Sequence, residues 1–478
     1  MSAQTPSPSD EPTFHTEAES SQPLKGRYAL LIDAGDAARG GAPGERRWIE
    51  LPRSGLEVGR RPSAEGGAAT WTLAHRRASG RHARISWQPE GWFITDLGST
   101  NGTLVNGRPI RGPTRLSDGM FFLFGGQAAV FRLVDATDHD ALCEEQAAPL
   151  GPVATASPRM ARMLARLRRL APSHEEILLV GETGVGKEVY ARAVHAASGR
   201  SGPFVPINCA AVPGELLESE LFGYVRGAHS QAGQSKRGLI EEAQNGTLLL
   251  DEIGDMPSAA QAKLLRLIQT RQFTPLGATS PRRLDTRFVA ATSQTVFDAI
   301  LEESGPALRG DLLGRLGAEP IRLLPLRERP EDLGPIVSHL LAGLGAQGME
   351  IEPAAFLALS LYAWPRNVRE LEKVVREARL YAAEVGRIGL PHLPQTLSAQ
   401  VRSHPSPTPP ASHAEPTPES LESVRRSPRP LPSKEALEGL LREHKGSVAR
   451  IAKVLDRQWA VIHRALGRYG LDPNQYKD

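Results

Sequence analysis

A glycine-rich turn, Gly181-Glu182-Thr183-Gly184-Val185-Gly186-Lys187, lies directly after the apolar run Ile177–Val180 and directly before a helical pattern. A strand, such a turn and a helix in succession form a phosphate cradle. Backbone N–H groups close around the anion, the helix N-terminus adds a favourable dipole, and Lys187 supplies a point charge for the β and γ phosphates. The hydroxyl residue that usually follows the lysine and ligates Mg²⁺ is Glu188 here. A second signal comes 64 residues after Lys187, where the apolar run Thr247–Leu250 ends in Asp251 and Glu252. In that position Asp251 is suited to holding Mg²⁺ through water and Glu252 to polarising the attacking water.

The runs Ile177–Val180, Phe204–Ile207, Thr247–Leu250 and Phe288–Ala291 alternate with helical patterns between Leu150 and Arg329. That alternation predicts a parallel α/β sheet. Residues 330–392 read as mostly helical. Together these motifs resemble the central domain of sigma-54-dependent transcription activators, a branch of the AAA+ ATPases, from about Leu150 to Leu393. In that family Glu normally follows the P-loop lysine, so Glu188 fits. The resemblance gives Asn208 the role of holding the catalytic glutamate at rest. It places Thr292 and Ser293 at sensor I, where the family usually has Asn at the second position. It makes Arg309 and Arg315 arginine fingers that reach a neighbouring subunit's nucleotide, and Arg369 sensor II in a helical lid. A guanidinium supplied in trans is worth on the order of 10³–10⁵ in rate. The implied assembly is therefore an oligomer, dimer to hexamer, using ATP and Mg²⁺.

Family activators contact sigma-54 through a Gly-Ala-Phe-Thr-Gly-Ala loop. The aligned segment here is Gly227-Ala228-His229-Ser230-Gln231-Ala232. His229 replaces an apolar ring with a titratable one, and Gln231 removes a glycine's access to positive φ. Two outputs stay open: remodelling of sigma-54 polymerase with a variant loop, or regulation independent of sigma-54, including repression. A phosphopeptide-binding scaffold with a vestigial ATPase is a third reading.

Upstream, residues 26–135 carry short β-rich runs, Tyr28–Ile32, Ala83–Trp87, Trp92–Asp96 and Val130–Leu133, between Gly, Asn and Asp turns. The pattern predicts an all-β sandwich. Gly59-Arg60, Ser79-Gly-Arg-His82, Asp96 to Thr103 and Val105-Asn-Gly107 follow in the order seen in forkhead-associated (FHA) domains. That resemblance implies phosphothreonine binding by Arg60, Ser79, Thr100 and Asn101, with His82 bracing the loops and Asn106 shaping a turn. One Arg with hydroxyl and amide donors suits a phosphate dianion.

Residues 1–25 read as a disordered leader and 136–149 as a charged linker. Ten of the 39 residues from Pro394 to Pro432 are proline, so 393–432 reads as an extended linker. Residues 433–478 show helical patterns broken at Gly446 and at Asp456–Arg457, the spacing of a helix-turn-helix. The segment resembles the Fis-type DNA-binding domain that ends sigma-54 activators. Gln458, Trp459, His463 and Arg464 are the implied base-reading candidates, with Arg457 and Arg468 for phosphates.

The expected architecture is multidomain: an all-β FHA sandwich, an α/β AAA+ core (150–329) with a helical lid (330–392), and an all-α terminal module. A net charge of +3 makes any nucleic-acid surface local. Two distant cysteines, Cys143 and Cys209, argue against a disulfide framework and for a reducing cytoplasm. Promoter-upstream DNA, sigma-54 polymerase, a phosphothreonine protein or the chain's own phosphorylated segment are the partners this reading implies.

Overall fold

The computed structural model describes residues 14–15, 27–36, 47–73, 75–150, 155–228, 234–301, 308–317, 319–402 and 434–444. Residues 1–409 form one compact unit, and residues 410–478 a second.

In the first unit the amino-terminal part is a sandwich of two six-stranded sheets. One sheet runs, edge to edge, Phe14–His15, Ala69–Thr72, Leu56–Gly59, Ala83–Gln88, Gly91–Asp96 and Thr114–Arg115. The other runs Trp48–Glu50, Arg27–Asp36, Gln127–Asp135, Phe121–Phe124, Thr103–Val105 and Arg108–Pro109. Alternation along the strands sends Leu31, Phe122, Phe124, Ala129 and Phe131 into the core between the sheets, beside Val58, Trp71 and Ile85. Residues 14–15 pair antiparallel with Thr70 and Trp71, a strand where the composition predicted only a disordered leader.

The outward face of the second sheet is also apolar, and it is covered. Ala34, Phe121, Leu123, Ala128 and Val130 pack with Leu326, Leu333, Val337 and Leu341 of the ATPase part. Leu30, Ile32, Trp48 and Val134 pack with Ala156, Ala161 and Ala165. The expected linker 136–149 is part of this contact. It forms the helix Ala136–Ala147, whose N-cap Asp135 accepts a hydrogen bond from the Asp138 N–H. Ala141 and Leu142 fill the same interface, and His139 stacks on Tyr28 with ring centroids 4.2 Å apart. The high charge suggested a bridge in water, yet Glu145 is buried and pairs with Arg168 at 2.5 Å on the helix Pro158–Leu170.

The ATPase core is a parallel five-stranded sheet in the order Phe204–Asn208, Thr247–Asp251, Arg287–Thr292, Ile177–Val180 and Ile321–Arg322. All four runs read from the sequence are strands. Leu178, Val180, Leu248, Leu250, Phe288 and Ala290 face one layer of the core, and Ile177, Leu179, Leu249, Val289 and Ala291 the other. This is why each reads as a continuous apolar run rather than an alternating one.

The lid contains the helices Leu333–Gly343, Pro353–Leu361 and Asn367–Tyr381. A further helix, Gln395–Arg402, occupies the start of the expected 393–432 linker, because Leu393 and Leu397 are buried in the lid's core. In the second unit, the helix Lys434–Glu443 matches the expected first helix of the terminal module, with Leu437 and Leu441 buried. Among the described residues no helix is long and apolar enough to cross a membrane.

Two predictions follow from the docked sheet. Ile32→Ala costs about 2–5 kcal/mol in chemical denaturation of the full chain, as for a core residue; a freely tethered sandwich would place the same substitution within about 0.5 kcal/mol. Burial pushes the Glu145 carboxyl up to about 7, against the pull of Arg168. Its folded value lies above its ordinary 4.5, so its contribution to stability is complete below that pH and is lost as pH rises through about 7. Glu145→Gln removes that decline, read as a flatter midpoint-against-pH profile between those two values.

Candidate functional site

The nucleotide site grows out of the end of the central strand. After Val180 the chain turns through Gly184 and Gly186 at φ of 79° and 105°, backbone that side chains rarely adopt, and enters the helix Lys187–Ala197. Gly184 has a second constraint. A Cβ there would lie 2.3 Å from the Arg366 carbonyl oxygen, so only glycine lets the lid come this close.

Lys187 is buried, and its Nζ donates to the Gly181 carbonyl oxygen at 3.1 Å. It also stands 3.5 Å from Glu252 Oε1. Glu252 is held in the left-handed region at φ 51° as the chain leaves the strand Thr247–Asp251. Asp251 Oδ1 accepts the Glu252 N–H at 3.1 Å. The P-loop lysine and the acidic pair, 64 residues apart in sequence, are therefore brought together. Burial pushes the nearby Cys209 thiol up to about 12, and the carboxylates of Asp251, Asp255 and Glu252 add to this. The thiol stays protonated and inert beside the acidic pair.

Most of the other expected residues bond within their own turn or helix. The Asn208 side-chain oxygen accepts from the N–H groups of Ala210 and Ala211, capping the turn after its strand. Among the described residues the partner of Glu252 is Lys187. Glu188 pairs with Arg192 one helical turn on, at 2.6 Å. Thr292 offers its carbonyl to the Gly181 N–H at 3.3 Å, and its own hydroxyl is buried. Ser293 Oγ accepts from the Val296 N–H at 3.2 Å, which commits it to starting the next helix. Arg309 and Arg315 lie at the beginning and near the end of the short helix Gly310–Leu316, both exposed. Arg309 pairs with Asp311 at 2.8 Å.

Sequence reasoning missed the clasp between lid and P-loop. Arg327 makes two bonds to Glu182, at 2.8 and 2.6 Å. Those bonds hold the Glu182 carboxyl below its ordinary range, with Asn367 adding to the effect against burial. Asn367 is fully buried at φ 52°. Its amide donates to Glu182 Oε2 at 3.0 Å and to the Thr183 carbonyl at 3.2 Å, while its oxygen accepts the Leu326 N–H at 2.8 Å. The Arg369 N–H meets the Gly184 carbonyl at 3.3 Å. The only sequence signal was an Asn beside the expected sensor II arginine.

The sandwich carries a second site. The Ser79 N–H donates to His82 Nδ1 at 3.0 Å, so His82 Nε2 carries the proton and donates to the Gly102 carbonyl at 3.2 Å. Burial lowers the His82 pKa, keeping the ring neutral in this bracing role. Ser79 Oγ accepts the Thr100 N–H at 3.0 Å, and Asn101 Nδ2 donates to the Arg77 carbonyl at 2.7 Å. Arg60 is exposed, and its Nε donates to the Ala78 carbonyl at 2.5 Å. Asn106 sits at φ 47° and accepts the Phe121 N–H, shaping the expected turn. Arg60, Ser79, Thr100 and Asn101 thus share one loop cluster. Behind it Asp96 accepts from Ser99 and Thr103. Burial alone would raise that carboxyl, but these bonds hold it below its ordinary value. Two unforeseen partners also brace the cluster: Glu57 is buried and paired with Arg81 at 2.7 Å.

The loop expected to contact sigma-54 has a described stem. The Ala228 N–H donates to the Val225 carbonyl, and Gly227 has φ 81°. His229, Ser230, Gln231 and Ala232 lie outside the described residues, as do Arg457, Gln458, Trp459, His463, Arg464 and Arg468.

A parallel sheet with a P-loop, an acidic strand end and a helical lid defines an AAA+ ATPase module. Residues 153–322 match the sigma-54 interaction domain, 56–125 the FHA domain and 327–410 the AAA+ ATPase lid domain. The chain is 35% identical over 328 residues to the regulatory protein AtoC of Escherichia coli K12, covering 68% of each chain. It is 49% identical over 224 residues to the putative uric acid sigma-54-dependent transcriptional regulator UacR of the same organism, 45% of this chain and 37% of that one. It is 46% identical over 244 residues to the DNA-binding transcriptional regulator NtrC of Azospirillum brasilense, 50% of each. The chain thus spans half or less of the length of UacR and NtrC. It belongs to the sigma-54-dependent transcriptional regulators.

Asn367→Ala strips the Leu326 N–H of its buried acceptor and places a Cβ residue without a compensating side-chain bond at positive φ. A loss of about 1–3 kcal/mol is expected in chemical denaturation.

Proposed function

We propose that the chain hydrolyses ATP to regulate transcription, binds DNA through its carboxy-terminal module, and is controlled by phosphothreonine recognition in its FHA sandwich. The observation that supports hydrolysis best is the approach of Lys187 to Glu252 within 3.5 Å at the mouth of the P-loop. Lys187 also rests on the Gly181 carbonyl. A γ-phosphate oxygen can take the Lys187 ammonium from both the Gly181 carbonyl and Glu252, which frees Glu252 to orient water. The left-handed glycines and the N-terminus of the helix Lys187–Ala197 suit a triphosphate, and Asp251 would hold Mg²⁺ through water. Mg²⁺ supplies charge neutralisation between the β and γ phosphates. Arg309, held by Asp311, and Arg315 are both exposed, open to a neighbouring copy's nucleotide, so turnover is a property of a homo-oligomer.

In the sandwich, the clustered Arg60, Ser79, Thr100 and Asn101 offer one cation with hydroxyl, amide and backbone donors to a phosphate dianion. The phosphothreonine comes from a partner or from the chain's own Ser/Thr-rich segments. For the output, sigma-54 polymerase is the partner the family favours. A sigma-54-independent or repressing regulator is the second reading, favoured by the sequence Gly227-Ala-His-Ser-Gln-Ala232 at the contact loop.

Lys187→Ala and Glu252→Gln each reduce steady-state ATP turnover by at least about 100-fold. In transcription from a sigma-54 promoter bearing this protein's site, ATP-dependent open complexes that vanish with Glu252→Gln support activation. Turnover without open complexes at an occupied site favours the second reading. Absent turnover in the wild type sinks the ATPase proposal.

A further inference from the structure

Arg132 belongs to the sandwich strand Gln127–Asp135, where its Nη1 donates to Asp118 at 3.4 Å, yet the other arm of its guanidinium leaves the sandwich. Nη2 reaches Glu331 Oε2 at 2.8 Å and the Glu328 carbonyl at 3.1 Å. Glu331 is fully buried. Burial pushes its carboxyl up and Arg132 pulls it back, so the pair is an anchor whose two halves depend on each other. Glu331 sits in the single turn Pro330–Asp332. The next residue fixes the other side of that turn. Asp332 accepts from Thr155 Oγ1 at 2.6 Å and from the Ala156 N–H at 2.8 Å.

The residue before the turn is Arg329, also buried, which points the opposite way. Its Nη2 donates to the Val185 carbonyl, inside the P-loop, at 3.3 Å. Its Nη1 donates to the Tyr190 hydroxyl at 3.0 Å, on the helix that Lys187 begins. Asp332 lies 3.8 Å from the same guanidinium. A side chain of the sandwich and a carbonyl of the phosphate cradle are thus joined through one short turn, whose charged groups Arg329, Glu331 and Asp332 are all buried.

We infer that Arg132 is a positioning residue for the nucleotide site, acting through Glu331 and Arg329 on the Val185 carbonyl, so that the docked sandwich is part of the ATP-binding device. The inference rests on the ATP-binding reading of the P-loop. It makes the covered sheet face functional: lifting the sandwich from the lid releases Glu331 and loosens the cradle. By linkage, bound nucleotide holds the sandwich down.

The test uses the full chain as wild type, Arg132→Gln, Arg132→Gln/Glu331→Gln and Lys187→Ala. A fluorescent ATP analogue is titrated at equilibrium, melting is followed without nucleotide, and ATP turnover is measured separately. Arg132→Gln is expected to bind the analogue about fivefold more weakly or worse. The double variant leaves no unpaired buried carboxylate and should melt near the wild type, yet still bind weakly, because the turn that carries Arg329 has lost its tie to the sandwich. Should Arg132→Gln fail to fold, the double variant decides alone. Affinity within twofold of wild type in the double variant overturns the inference, since only burial of an unpaired Glu331 would then have mattered. A wild type that binds the analogue through Lys187 but turns over no ATP sinks the hydrolytic reading alone, and the titration still judges Arg132.

Discussion

Burial of one β-sheet on both faces organises the first unit. The strands Arg27–Asp36, Gln127–Asp135 and Phe121–Phe124 give alternate side chains to the sandwich core and to the ATPase part. A sandwich with one wet face needs only every second residue to be apolar, whereas this sheet has Leu30, Leu31 and Ile32 in succession, all buried. The apolar area this removes from water, at about 25 cal/mol per Å², is the force that turns a neighbouring domain into a layer of a larger core. The helix Ala136–Ala147 follows from the same constraint, because it seals the edge of the contact with Ala141 and Leu142.

That packing brings charges inside, and the structure answers each with a partner. Glu331 has Arg132, Glu145 has Arg168, and Arg329 has Tyr190, Asp332 and the Val185 carbonyl. Buried pairs of this kind add little net stability over apolar residues, but removing one partner is costly. Their effect is to fix one arrangement of sandwich, turn and P-loop. The lid adds a second set of fixings from the other side, through Asn367 and Arg327 on Glu182. The phosphate cradle is therefore held by groups from outside its own strand and helix.

The two candidate sites share a logic. In each, a glycine or a short polar residue in the left-handed region lets backbone approach backbone, and a buried polar side chain locks the loop. Gly184 and Asn367 do this at the nucleotide loop, and Asn106 and His82 at the loops of the sandwich. His82 and Asp96 brace the loops from below, which leaves Arg60, Thr100 and Asn101 at the exposed end.

Much of this was legible in the residues. The order of turn and strand motifs named both folds, and the P-loop with the pair Asp251–Glu252 named the chemistry, because phosphate binding and water activation require those residue types on a strand–loop–helix path. Local signals of that sort survive without a structure. Which partner each side chain takes does not, since a contact such as Arg132 with Glu331 spans 199 residues and depends on how two sheets meet. The same holds for residues 136–147, whose charge reads as linker until the burial of Glu145 against Arg168 explains it. The sequence by itself determined the strands of the parallel sheet, the order of the domains and the candidate reacting groups, because these rest on local backbone and side-chain chemistry. Only the tertiary structure decided that the sandwich, the lid and the nucleotide loop share one core, because burial and charge pairing are set by surfaces distant in the chain.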